Sequence, residues 1–304
     1  MTAVAEKAER PAAEKPSLRH RLAERGLDRT LILLAPGLLF VVVLFVYPVL
    51  YGLQLSFQPT EGGSPFANYS KFFSDSYLFD TVWITLRLAL PAALVNVLAS
   101  VPIAYRMRGR MRGKRLLTTM FVLPITLGTV LTAEGLIRYL DPTGWFNKVL
   151  ALFGADEPAE LVHNYTGVLL SLIISGFPFA FLLTLSYLSG IDPTLEQAAA
   201  TLGADWRKRF RYITLPLLAP GLAITFCLTF VLAFSVFPSA YLVGLPQGDT
   251  RVMSIAAYEA AFRDLDYPLG SAIAMLMALV MLVVIGIVLL WRSTLYRGST
   301  GGKG

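Results

Sequence analysis

Apolar residues dominate this chain in long runs rather than in strand-like alternation. Six runs, at 31–55, 82–105, 116–137, 165–187, 220–243 and 269–291, are long enough to cross a bilayer, which takes about 20 helical residues. The first and last contain no charge, whereas the second and third hold Arg87 and Glu134. The pattern predicts an all-α polytopic membrane protein with six transmembrane helices. Pro36 and Pro48 inside the first run are compatible with a spanning helix. That run follows a basic stretch, as a secretory signal would. It is too long for a signal core and no small-x-small cleavage site closes it, so it is expected to be retained.

Composition agrees: 55% of the 304 residues are hydrophobic and 15% charged, against about 25% charged in soluble domains. The single cysteine, Cys227, lies in an apolar run and reads as a small buried hydrophobe, so neither a disulfide framework nor a cysteine-based metal site is expected. His20 and His163 stand far apart in polar flanks, which argues against a histidine metal centre. No nucleophile or acid–base constellation stands out. Gly113-Lys114-Arg115 lacks the upstream glycine of a phosphate-binding loop. The expectation is a non-catalytic chain that binds no cofactor.

The net charge of +6 is unevenly distributed. The stretch before Thr30 holds seven Lys or Arg, the second-to-third connection six, the fourth-to-fifth four and the C-terminal tail three, against five in the other three connections. The positive-inside rule then predicts both termini in the cytoplasm. The basic balance reads as a rim beside anionic membrane lipid, without nucleic acid. The outer connections are acidic by contrast, with Glu61, Asp75, Asp80, Asp141, Asp156, Glu157, Glu160, Asp249, Glu259, Asp264 and Asp266. Residues 1–30 are expected to be a disordered basic cytoplasmic tail, 31–295 a six-helix membrane domain, and 296–304 a flexible C-terminal tail.

The loop at 189–219 carries the most specific signal. Asp192 caps a helix, Pro193 suits its first position, and three alanines from Ala198 to Ala200 favour it. Gly203 offers a stop, and a second short helix from Asp205 to Thr214 carries the cluster Arg207, Lys208, Arg209 and Arg211. Pro216 and Pro220 are expected to end that helix before the fifth span. By spacing alone, this is either an elbow on which another protein docks or an interfacial loop with a cationic face.

Glu196-Gln197-Ala198-Ala199, then Gly203-Ala204, Phe210, Ile213-Thr214-Leu215-Pro216 and Pro220, resemble the EAA loop of permease subunits in binding-protein-dependent ABC importers (type I). Gln197 stands where alanine is common. The resemblance extends over about residues 30–295. It implies the type I permease fold, a cytoplasmic ABC ATPase dimer that uses ATP and Mg, a second permease subunit forming a heterodimer, an extracellular solute-binding protein, and residence in a bacterial cell membrane. It also implies that Glu196, Gln197, Ala198, Ala199, Gly203, Ala204 and Pro216 belong to the loop on which the ATPase docks. Trp206 and residues 207–211 add docking contacts or hold lipid headgroups.

Thr201-Leu202-Gly203-Ala204 departs from the D-G-A wording of sugar permeases. Together with Phe237 to Gly244, Ser254-Ile255 and Asp266 to Ala272, it is similar to spermidine/putrescine-type permeases. With the acidic outer loops, this implies a polyamine or similar small cation as cargo. The alternatives are a sugar, glycerol-phosphate or inorganic-anion permease of the same family and, further off, an ion-coupled secondary transporter. The candidate path residues are Glu134, Asn96, Phe234, Phe237 and Tyr241. Glu134 either meets an ammonium group or pairs with Arg138 or Arg87. Asn96 either lines the path or bonds a neighbouring helix. The three aromatic residues either stack on a cation or pack against helices and lipid.

Overall fold

A computed structural model describes residues 29–59, 62–109, 113–154 and 158–295. Most of the N-terminal tail, the tail 296–304, and Glu61, Arg110, Arg112, Asp156 and Glu157 lie outside the described residues. Helices α1 (Arg29–Val41) and α2 (Tyr47–Ser56) run on through one π-helical turn, Val42–Val46. Up to Gly52 this helix is a unit of its own. Its described side chains are exposed, Leu39, Phe45 and Tyr47 among them. The Tyr47 N–H reaches back to the Val42 carbonyl, five residues away, just before Pro48. A widened turn makes room for the proline ring and leaves the helix unbroken.

The second unit continues with α3 (Ala67–Ser74), α4 (Ser76–Met107), α5 (Lys114–Leu140), α6 (Trp145–Leu152) and α7 (Tyr165–Ser189). It then adds α8 (Pro193–Thr201), α9 (Trp206–Arg209), α10 (Leu215–Phe234), α11 (Pro238–Leu242), α12 (Met253–Tyr258) and α13 (Tyr267–Leu295). Among the described residues, six helices are long and apolar enough to span a membrane. Several exceed their apolar runs. Helix α4 begins at Ser76, six residues before the expected 82, because Asp75 accepts the Tyr77 N–H at 2.9 Å and starts the helix among polar residues.

The fifth span differs most from expectation. Pro216 and Pro220 do not end the basic helix: α9 passes through a π-turn, Phe210–Thr214, straight into α10. The Leu215 N–H bonds the Phe210 carbonyl immediately before Pro216, as in the turn before Pro48. The helix therefore runs from Trp206 to Phe234 and stops nine residues short of the expected 243. There the Ser235 hydroxyl takes the Val231 carbonyl at 2.7 Å. Pro238 also disfavours helical backbone at Phe237, so the chain restarts as α11.

Helices α4, α7 and α10 pack together at the centre, with α5 against α7 and α13 against α10 and α12. Small residues on α4 (Ala89, Ala92, Ala93) are wholly buried and let the backbones approach. A larger core reaches toward the acidic side through Phe72, Phe230, Phe234, Met253 and Ile273. A smaller one, with Met107, Phe181, Leu188 and Leu218, closes the basic side.

Candidate functional site

Two places gather the predicted residues: helix α8 on the basic side and a cavity halfway along α4.

Helix α8 forms for the expected reasons. The Asp192 carboxylate accepts the Thr194 N–H at 2.9 Å, and that bond holds its carboxyl below the usual Asp value. Pro193 occupies the first helical position. Past the helix end, Gly203 has φ +83°, which a side chain would strain. The Gly203 N–H bonds the Ala200 carbonyl at 3.0 Å and the Ala204 N–H bonds that of Ala199 at 3.0 Å. This pair of bonds is a Schellman stop. Asp205 then caps the next helix through the Lys208 N–H.

Gln197, Ala198 and Gly203 are exposed, and Ala199 and Ala204 half-buried. Leu202 is 89% exposed, and Leu195, Trp206 and Tyr212 stand out beside it. Glu196 does not share that surface. It is only 6% exposed and turns inward. Its carboxylate pairs with Arg108 just past the end of α4, accepts the Thr214 hydroxyl at the start of the fifth span, and lies 3.3 Å from the Tyr105 hydroxyl. The Arg108 guanidinium rests over the Tyr105 ring at 4.5 Å, and that ring meets Phe210 edge-on at 4.9 Å. Burial pushes the Glu196 carboxyl up, but the Thr214 hydroxyl and the Arg108 guanidinium together hold it below the usual Glu value. Sequence reasoning missed Arg108, Tyr105 and Thr214. Their link to Glu196 is tertiary, and in sequence Arg108 is one of many rim arginines.

The cavity has a volume of about 310 Å³. Asn96, Thr129, Ser175, Gly176, Thr229, Ser235 and Ser239 are among its walls. Asn96 lies ten residues from Arg106, or about 15 Å along the helix, which is half the thickness of a hydrocarbon core. Asn96 is 1% exposed and donates to the Leu172 carbonyl at 3.3 Å. Its Oδ1 is buried without a partner among the described residues. A Cβ at Gly176 would come within 2.5 Å of the Asn96 amide, so glycine keeps that wall open. Helix α5 kinks at Gly128, with φ 74° and ψ 166°, and so presents Thr129.

The other path candidates fall elsewhere. Glu134 is exposed and pairs with Arg138 at 3.4 Å, on the opposite side of α5 from buried Ala133, Leu136 and Leu140. Arg87 is not its partner; it lines a separate cavity with Asp80, Trp83, Tyr165 and Asp249. Phe234 is wholly buried in the larger core. Phe237 and Tyr241 come after the helix break and stack on each other at 5.4 Å, with Tyr258 at 4.9 Å from Phe237.

The chain matches, over residues 96–296, the family described as the binding-protein-dependent transport system inner membrane component. The chain belongs to this family of ABC importer permeases. It is 30% identical over 274 residues to the sn-glycerol-3-phosphate transport system permease protein UgpA of Shigella flexneri, covering 86% of this chain and 92% of that one. It is 25% identical to the trehalose transport system permease protein SugA of Mycobacterium tuberculosis, covering 84% and 85%. A crystal structure of a bacterial ABC transporter that imports the acidic polysaccharide alginate contains a chain of the same fold, with a TM-score of 0.75, 21% identity and coverage of 92% and 98%. This permease is therefore a non-catalytic transport subunit with the six-helix fold expected. The relatives named here are sugar and glycerol-phosphate permeases, and the expected likeness to polyamine permeases is corrected accordingly.

Some of the outer carboxylates have partners within the fold. Glu259 is engaged by Arg251 at 2.7 Å and by Arg263 at 3.5 Å, and Asp266 by Lys71 at 3.4 Å. Asp75 and Asp141 accept backbone N–H groups. Two of the outer carboxylates, Glu259 and Asp266, are thus paired with cations.

Proposed function

We propose that this permease carries a sugar-like, polyhydroxylated solute through half of a pore. The observation that carries this reading is the mid-membrane cavity. Its polar lining is hydroxyl and amide, with no Asp, Glu, Lys or Arg among the described residues. Hydroxyls and amides both donate and accept, which suits a neutral polyol. A polyamine needs carboxylates to offset its desolvation, and a phosphate ester needs a cation. The trehalose and glycerol-phosphate permeases among the relatives support the same class, and the lining favours the sugar over the phosphate ester.

In this reading the chain sits in the cytoplasmic membrane with both termini inside. A second permease completes the passage, an extracellular binding protein delivers the solute, and a cytoplasmic ATPase pair uses ATP and Mg. The exposed face of α8, with Gln197 and Ala198, and Leu202 just past its end are where the ATPase docks.

The test is uptake into proteoliposomes holding the assembled transporter, with labelled trehalose, maltose, glycerol 3-phosphate and spermidine as separate probes. Uptake of a disaccharide is expected. Asn96→Ala should reduce it by about one to two orders of magnitude, the equivalent of the 1–3 kcal/mol lost when a buried polar partner is left unsatisfied. Transport of spermidine with neither disaccharide would overturn the proposal.

A further inference from the structure

Helix α8 is joined to its neighbours by short non-helical links, residues 190–192 before it and 202–205 after it, the second containing Gly203 at φ +83°. Two such links would let a docked helix swing without moving the spans. Among the described residues of α8, one side chain is buried, that of Glu196. It meets two places in the fold: the end of α4, through Tyr105 in its last turn and Arg108 just beyond, and the fifth span, through Thr214 where the π-turn gives way to α10.

We infer that Glu196 is an internal tie rather than a docking contact: its carboxylate fixes α8 to the second and fifth spans, so that displacement of α8 moves both together. Arg108 and Thr214 are then positioning residues that act through Glu196. The inference rests on the proposal that α8 is the docking helix. The chemistry suits a tie. A carboxylate accepts several hydrogen bonds at once, and a guanidinium donates in a fixed plane, so the joint resists rotation as well as separation. The Tyr105 ring, clasped between Arg108 and Phe210, limits how far the guanidinium can turn.

The experiment uses the assembled transporter in proteoliposomes and measures disaccharide molecules imported per ATP hydrolysed, together with ATPase retained on purification. Glu196→Gln and Arg108→Gln should keep the ATPase bound and hydrolysing, while the transport ratio falls on the order of tenfold, typical of lost coupling between two sites. Arg108→Lys should recover part of the ratio. Thr214→Val leaves the ion pair in place and should give a smaller fall, which keeps the test open if the charged variants do not fold. An unchanged ratio in Glu196→Gln and Thr214→Val overturns the tie, as does loss of the ATPase from a folded Glu196→Gln transporter. Leu202→Asp probes the docking proposal separately: it should release the ATPase, and retention there would fault docking on α8 rather than the tie.

Discussion

The two ends of this permease use the same chemical device in different ways. On the basic side, Glu196 pairs with Arg108 across 88 residues of sequence, and Arg108 lies over Tyr105. On the acidic side, Glu259 pairs with Arg251 eight residues away, and Arg251 lies over Tyr77 at 4.0 Å. The acidic-side guanidinium is spread widely: Nε and Nη2 reach Glu259, and Nη1 reaches the Tyr77 carbonyl at 3.2 Å. It locks a loop, the start of α4 and the turn after α12 into one cap. The basic-side pair instead joins a short helix with an open face to two long spans. A pair inside a packed cap resists motion, whereas a pair at the root of an otherwise exposed helix transmits it.

The largest effect should follow from breaking the acidic-side pair. Arg251→Met leaves Glu259 charged and nearly enclosed, at a cost of about 3–5 kcal/mol. Thermal unfolding in detergent would show it, and adding Glu259→Gln should return part of the loss. Arg108→Gln should cost less stability, about 1–3 kcal/mol, because that guanidinium is more open to water. Its larger effect is expected on transport per ATP. If both variants shift unfolding and coupling alike, the distinction between cap and tie fails.

A smaller effect is expected at Gly203. Gly203→Val forces a branched side chain into left-handed backbone, costing about 1–2 kcal/mol, and should loosen the end of α8. Amide exchange across 199–205 should speed up while that of α4 and α7 stays as before.

The subtlest test is acid. The folded-state pKa of Glu196 lies below the ordinary value of 4.5, so the tie contributes fully above that value and is lost as pH falls through the lowered one. The charged and titratable groups that face it are Tyr105 in the last turn of α4 and Arg108 just past it, with Arg209 of α9 acting on Tyr105. Protection of the α8 amides, corrected for the intrinsic pH dependence of exchange, should therefore be flat from neutral pH down to the ordinary Glu range and fall below it. Glu196→Gln should abolish the dependence.

Much of the fold was legible because a bilayer imposes simple rules. Length and apolarity mark the spans, the basic bias orients them, and Asp192, Pro193 and Gly203 announce the start and end of α8. Proline was the least reliable sign. Pro216 and Pro220 lie within a continuous helix, whereas Pro238 restarts one, and a π-turn upstream separates the first case from the last. No local pattern in the sequence predicts that turn.

The site was legible only in part. Asn96 stands out in the sequence as a polar residue in mid-span, and in the fold it both lines the cavity and bonds the Leu172 carbonyl. Phe234, Phe237 and Tyr241 share a helical spacing in the sequence, but the helix ends at Phe234, which is packed in the larger core, and the other two lie beyond the break. Glu196 was recognised within its motif, yet its direction was not, since a helix residue can face either its partner protein or its own fold.

The sequence by itself determined six apolar spans, the basic loop between the fourth and fifth, and the kind of machine they belong to. Hydrophobic length, charge bias and helix caps are local properties, written wherever they act. Only the tertiary structure decided that the polar lining of the cavity is hydroxyl and amide, that Glu259 and Asp266 are paired with cations, and that Glu196 is tied inward to Arg108 and Thr214. Those facts depend on which helix faces which, and a residue's partner across the bundle is set by packing rather than by its neighbours in the chain.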